Sequence, residues 1–197
     1  MRIVRAADCR RMAWKNGGGE TVEILTVPEG AGLSDFDWRI SSATVASAGP
    51  FSAFAGIDRT LCVLSGEGLT LAVPPHAPVR LDPASAPYRF PGEAAVFGTP
   101  HGGPVVDLNI MTRRARFTHE VTRLTLDAPL SVPSAGADVV IFVVQGAVSE
   151  PSFAESAASS VALEAGDCAL LSPQDEMAVL TPLGGACEII MVRITPA

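Results

Sequence analysis

The chain has 197 residues, a formal net charge of −7 and 48% hydrophobic residues. That composition belongs to a globular chain, and one of this length buries roughly 70% of its unfolded surface, so neither a disulfide nor a metal is needed to hold a core. The acidic balance, without a Lys/Arg stripe interleaved with aromatics, excludes nucleic acid as an expected partner. A membrane span is excluded because no run approaches the ~18 uninterrupted apolar residues of a membrane helix.

Taken in chain order, Met1 to Asp8 carry no sustained apolar stretch, so no secretory leader is read there. Cys9, Cys62, Cys168 and Cys187 are scattered without a C-x-x-C pair, and Cys62 and Cys168 sit in apolar runs where buried, reduced thiols belong. Both features predict a cytoplasmic protein. A short helix is expected around Ala6–Ala13. Strands are expected over Thr21–Val27, Phe36–Val45, Arg59–Leu64, Leu69–Val73, Ala94–Val96, Val105–Met111, Val121–Leu126, Val139–Val144, Ala169–Leu171 and Glu188–Ile194. Many short strands among 18 glycines and 16 prolines argue for an all-β sandwich or barrel. The Pro-, Ser- and Ala-rich stretch Asp127–Asp138 reads as the boundary between a first module, 1–126, and a second, 127–197. Ser149–Ser160 reads as a long loop in the second module.

A weak repeat supports two modules. Leu61-Cys62-Val63-Leu64-Ser65-Gly66 precedes Pro91-Gly92-Glu93, and Ile141-Phe142-Val143-Val144-Gln145-Gly146 precedes Ala165-Gly166-Asp167. Each half reads as an apolar strand ending in a polar-Gly turn, followed by a Gly-acidic turn, with glycine expected to supply positive φ in both turns. The pattern resembles the strand-turn signature of a cupin barrel, occurring twice. A metal cupin supplies His-x-His, a Glu and a distant His. Here His76, His101 and His119 are far apart, and the expected position reads Gly56-Ile57-Asp58-Arg59-Thr60. No metal and no cofactor are expected.

Four segments carry candidate chemistry. Trp14-Lys15-Asn16-Gly17-Gly18-Gly19-Glu20-Thr21 frees the backbone for close approach to a ligand or a neighbouring strand, and is equally read as a flexible turn. It is not a nucleotide loop: no Gly-Lys-Ser/Thr follows, and Val22 takes the last glycine position of a dinucleotide fingerprint. In Phe36-Asp37-Trp38-Arg39-Ile40-Ser41-Ser42-Ala43, strand alternation puts Phe36, Trp38 and Ile40 on one face and Arg39, Ser41 and Ala43 on the other. In Gly49-Pro50-Phe51-Ser52 through Thr60, Arg59 shares a face with Leu61 and Val63, either as an interior guanidinium able to grip a carboxylate or as a rim residue bonded to Asp58. In Val105 to Arg114, Asp107, Asn109 and Met111 face one way, Val106, Leu108 and Ile110 the other. The polar face is either solvent or the lining of a pocket. Arg113, Arg114 and Arg116 read as a solvated strand end. His101 or Asp107 is the candidate base if the protein is an enzyme, and a His101–Asp107 pair is conceivable for proton transfer.

These segments resemble the HutD/Ves family, through Trp14-Lys15-Asn16-Gly17-Gly18-Gly19 with Thr21, Trp38-Arg39-Ile40-Ser41 with Ala43, Gly49-Pro50-Phe51-Ser52 with Gly56 and Arg59, and Asp107-Leu108-Asn109-Ile110-Met111 with Arg113. The resemblance implies a bicupin fold and an association with histidine utilisation, where sensing of a small acid such as formylglutamate or urocanate modulates the pathway. It implies no established catalytic activity. The expected ligand is thus a small anionic metabolite held without metal by Arg59, with Arg39 and Ser41 as secondary contacts, Asp107 and Asn109 orienting the arginines, and Asn16 and Ser52 nearby. The alternatives are a metal-free isomerase or hydrolase on a similar acid and an interaction module, including a homodimer paired through strand edges.

Overall fold

A computed structural model describes residues 1–14, 19–151 and 162–197. In chain order the strands are β1 (Arg2–Val4), β2 (Arg10–Ala13), β3 (Gly19–Val27), β4 (Trp38–Val45), β5 (Gly49–Pro50), β6 (Ile57–Ser65), β7 (Leu69–Ala72), β8 (Val79–Leu81) and β9 (Tyr88–Pro91). They continue as β10 (Phe97–Pro100), β11 (Val105–Arg113), β12 (Phe117–Leu126), β13 (Leu130–Pro133), β14 (Asp138–Ser149), β15 (Ala162–Glu164), β16 (Cys168–Leu171), β17 (Met177–Leu180) and β18 (Pro182–Pro196). The described residues contain no α-helix, and none is long and apolar enough to cross a membrane as a helix. The all-β expectation holds. The helix expected over Ala6–Ala13 does not form: Ala6–Asp8 is one 3-10 turn, and Arg10–Ala13 pairs with β3.

Two compact units share the chain: Arg10–Thr118 with Ala197, and Met1–Cys9 with His119–Pro196. The division differs from a break after residue 126. Residues 127–138 are not a linker, because Leu130–Pro133 pairs with Met177–Leu180, and Val132 and Ala137 enter the second unit's core. The prolines there flank the ladder or close it, where a missing N–H costs little. The N-terminus belongs to the second unit because β1 pairs with β16 and Arg5 is held by Glu150 and Asp167.

The first unit has a sheet in the order β2-β3-β4-β11-β6-β9 and a four-stranded sheet β5-β10-β7-β8. Register across β4, β11 and β6 aligns three rungs: Arg39, Met111 and Arg59; Ser41, Asn109 and Leu61; Ala43, Asp107 and Val63. Cross-strand partners point to the same side, so one face carries two arginines, an acid and an amide. Part of the interior is filled by Val45, Leu61, Val63, Leu69, Leu71, Leu81, Phe90 and Val105, drawn from both sheets. Each such buried side chain contributes roughly 1.5–3 kcal/mol. The register of β3 shifts between Glu23 and Leu25, so Glu23 opposes Ser41 while Leu25 opposes Ile40 on the other face.

The second unit orders its main sheet β1-β16-β14-β18-β12, with β15 on β14, beside the pair β13–β17. Its core is aliphatic: Val139, Ile141 and Val143 of β14 meet Leu163, Leu171, Leu180 and Ile189. The repeat is only partly structural. Gly66, Gly146 and Gly166 have the expected positive φ, at +103°, +80° and +92°, but Gly146 lies within β14, where its register against β18 shifts, rather than in a turn. Gly92 does not have positive φ; a Cβ there would lie 2.8 Å from the carbonyl oxygens of Phe54 and Ile57. Ala94–Val96 is not a strand; the ladder starts at Phe97.

Gly19 opens β3, and a Cβ on it would stand 1.9 Å from the Thr44 carbonyl oxygen. The expected close approach to a neighbouring strand is therefore real at this glycine. Residues 15–18, including Asn16, lie outside the described residues, as does most of the loop expected over Ser149–Ser160. Gly19→Ala is expected to destabilise by about 1–3 kcal/mol, the usual range for forced overpacking. A thermal melt of the variant beside the parent measures it; an unchanged midpoint would contradict the tight packing.

Candidate functional site

A cavity of about 600 Å³ opens within the first unit, lined by Arg39, Ser41, Ser52, Arg59, Asp107 and Asn109 together with apolar groups including Trp14, Phe51, Phe54 and Met111. Of the ligand contacts expected from sequence, every one among the described residues lines it. Short-range alternation explains the placement: Arg39, Ser41 and Ala43 on β4, Arg59 on β6, and Asp107, Asn109 and Met111 on β11 all point inward.

Arg59 is 5% exposed. Nη1 donates to the Ser52 carbonyl at 3.1 Å and Nη2 to Asn109 Oδ1 at 2.6 Å, while buried Nε has no partner. Its guanidinium carbon lies 5.0 Å from the Phe90 ring centroid and 5.6 Å from those of Phe51 and Phe54. Three aromatic faces offset part of the desolvation, each worth roughly 0.5–2 kcal/mol. Gly98 makes room for one of them, since a Cβ there would come within 2.5 Å of the Phe51 ring. The rim arginine bonded to Asp58 is ruled out: Asp58 instead accepts from Arg89 and Arg114.

Asn109 passes the contact on, donating Nδ2 to Asp107 Oδ1 at 2.7 Å. Asp107 is fully buried and its Oδ2 has no partner. Burial raises its carboxyl to about 7, with the Arg59 charge, the Asn109 amide and the backbone at Ala43 pulling the other way. Burial likewise lowers Arg59 to about 10, with Asp107 opposing and Arg39 reinforcing the fall, so it stays cationic at neutrality. Arg39 has a direct counter-ion: Nε donates to Glu23 Oε2 at 3.0 Å, and Nη1 donates to Ser41 Oγ at 3.0 Å.

Three expectations need correction. His101 does not line the cavity; its Nε2 pairs with Thr70 Oγ1 at 2.8 Å, and no His101–Asp107 relay forms. Phe36 precedes β4 and packs with Ile57 and Met111, leaving the face of Trp38 and Ile40, because the extended run begins only at Trp38. The basic cluster is no freely solvated strand end. Arg113 donates to the Phe36 and Ser34 carbonyls, Arg114 to Asp58 and Glu93, and Arg116 to Asp37. Arg113 thereby anchors the segment that brings Leu33 to the cavity.

Sequence reasoning did not assign the Arg59 aromatic box, Glu23 or the Trp14 wall. Trp14 donates Nε1 to Thr21 Oγ1 at 2.8 Å, which fixes its ring at the cavity. The available signal was the aromatic spacing in Phe51-Ser52-Ala53-Phe54, eight and five residues before Arg59. Phe90 had no local signal; it meets Arg59 only because β9 pairs with β6, register Arg59 to Phe90.

The donor set does not fit the divalent metal of metal cupins: two guanidinium cations line the cavity and no histidine does.

The family model described as HutD matches residues 6–191. The chain belongs to the HutD family. It is 34% identical over 192 residues, covering 98% of this chain and 97% of the relative, to an uncharacterised protein of the hutC 3′ region of Pseudomonas putida. It is 37% identical to protein Ves of Citrobacter koseri, over 71% of this chain and 72% of that one. The structure of HutD from Pseudomonas fluorescens superposes with TM-score 0.80 at 30% identity, covering 100% of this chain and 98% of the other. A cupin 2 conserved barrel protein from Leptotrichia buccalis, at 10% identity and TM-score 0.61 over 94% of this chain and 96% of its own, shares the fold. The fold is cupin-type.

Asp107 gives a signed pH prediction. Its carboxyl binds protons more tightly in the folded state (about 7) than in the unfolded chain (3.8). The stability it contributes is therefore fully present below about pH 4 and is lost as pH rises through about 7. Asp107→Asn is expected to lose less stability than the parent between pH 5 and pH 8 in urea titrations. Parallel curves would contradict a buried, proton-hungry Asp107.

Proposed function

We propose that this protein binds a small carboxylate in the cavity without metal and acts as a regulatory sensor in histidine utilisation, with formylglutamate or urocanate as the acid. The observation that carries the reading is Arg59: a buried cation at the cavity wall, with only two of its five N–H groups engaged and only neutral groups accepting them. Arg39 is balanced by Glu23, whereas Asp107 reaches Arg59 only through Asn109 and is held toward its neutral form. The cavity therefore favours an anion. A guanidinium fork matches a carboxylate through two parallel hydrogen bonds, and shelter from water strengthens both.

In this reading Arg59 clamps the carboxylate, Arg39 and Ser41 make secondary contacts, the Ser52 carbonyl and Asn109 hold the clamp, and Asp107 sets the charge behind it. The Pseudomonas putida relative, by its place in the hutC 3′ region, supports the pathway. A cytoplasmic site of action belongs to the same proposal. Urocanate suits the Trp14 and Phe51 walls, and formylglutamate suits the paired arginines.

One observation favours a second reading, a metal-free isomerase or hydrolase on a similar acid. A buried carboxyl near 7 with an orphan oxygen is a competent general base or acid. Incubation of each acid with the protein, followed by mass spectrometry, separates the two: turnover lost in Asp107→Asn supports the enzyme.

Calorimetric titration with formylglutamate, urocanate and glutamate tests the sensor. At least one of the first two is expected to bind more tightly than glutamate. Arg59→Ala, with folding checked by circular dichroism, is expected to weaken that binding at least about 30-fold, the lower bound for truncating one partner of a buried charge pair. Unchanged affinity in the variant removes the clamp, and no heat with any of the three acids removes the sensor.

A further inference from the structure

Acids of the first unit that pair with arginine do so directly: Glu23 on Arg39, Asp58 on Arg89 and Arg114, Asp37 on Arg116. Asp107 does not. Asn109 stands between it and Arg59, accepting the guanidinium on Oδ1 and donating its amide to the carboxyl. The relay has one cation at its cavity end, one titratable acid at its buried end, and an Oδ2 without a partner.

A carboxylate seated on Arg59 would place a second acid beside the same cation. Two carboxylates in one sheltered site do not both stay ionised, and the more poorly solvated one takes the proton. The incoming acid would occupy a guanidinium fork, while Asp107 has one side-chain amide, the backbone at Ala43 and an oxygen, Oδ2, without a partner. Asp107 is the one that yields.

We propose that anion binding in this cavity is proton-coupled, so that seating a carboxylate on Arg59 draws one proton from solvent onto Asp107. The inference rests on the carboxylate-binding reading and adds its regulation: occupancy reports pH as well as metabolite.

The charged surroundings of Asp107 agree. Arg59 faces the cavity from β6 and Arg39 from β4, with Glu23 of β3 against Arg39. Residues 49–54 contribute only uncharged Pro50, Phe51, Ser52 and Phe54, and β2 only Met12 and Ala13, with Trp14 following. His101 is engaged by Thr70 and stands outside the lining. Among the described residues, Asp107 is therefore the one acid that lines the cavity. Burial already raises its carboxyl to about 7, so a second anion has little further to push it.

The test is calorimetry of the parent with formylglutamate at pH 7.5, repeated in phosphate and in Tris, whose ionisation heats differ. Formylglutamate is chosen because its carboxyls are fully ionised there and contribute no proton of their own. The expected result is a buffer-dependent heat equivalent to between half and one proton taken up per ligand, with affinity falling up to about tenfold per pH unit above neutrality. Asp107→Asn, which keeps the amide contact, is expected to bind with buffer-independent heat and a flat pH profile. Binding with buffer-independent heat in the parent overturns this inference alone. No heat at all overturns the formylglutamate reading and this inference with it. A carbon-13 titration placing the ligand-free Asp107 carboxyl in the ordinary aspartate range overturns the coupling without any ligand.

Discussion

The first unit is organised around burial of one guanidinium. Arg59 occupies an interior position where a charge is costly, and the surrounding structure answers that cost piece by piece: a carbonyl from Ser52, an amide oxygen from Asn109 and three aromatic rings. None of these partners is a charged acid in contact with it. The arrangement retains a cation in a sheltered place without cancelling its charge, which is the condition for selective recognition of an anion.

The two units use the same device, alternation along antiparallel strands, to opposite ends. In the second unit the inward positions of β14 are Val139, Ile141 and Val143, and the core closes around them. In the first, Leu61 and Val63 of β6 enter an apolar cluster, but Arg59 on the same face takes up the space where that cluster stops. A hydrophobic core and a polar cavity thus share one interior. Gly98, by admitting the Phe51 ring, and the β3 bulge, by aiming Glu23 toward Arg39, support that division from a distance.

Strand alternation was legible in Trp38-Arg39-Ile40-Ser41 and in Asp107-Leu108-Asn109-Ile110-Met111, because a period of two assigns faces locally and needs no partner. Which polar residues share a face followed from it, but that this face lines a cavity did not. Phe36 shows the limit: the pattern ran on past the true strand start at Trp38, and the aromatic turned to the other side. The ends of the first unit were illegible for a similar reason. Proline-rich 127–138 looks like a linker in isolation, yet its Leu130–Pro133 pairs with Met177–Leu180, far along the chain.

By itself the sequence determined that this chain is β-rich, which residues share a strand face, and the family whose motifs it carries. Only the tertiary structure decided that Arg39, Met111 and Arg59 stand abreast, that Phe90 closes over Arg59, and that Asn109 separates Arg59 from Asp107. The physical reason is that a strand's faces follow from local backbone geometry. Its register, its neighbours and the dielectric around its charges are set by segments far away in the chain, and a carboxyl's proton affinity follows from those surroundings.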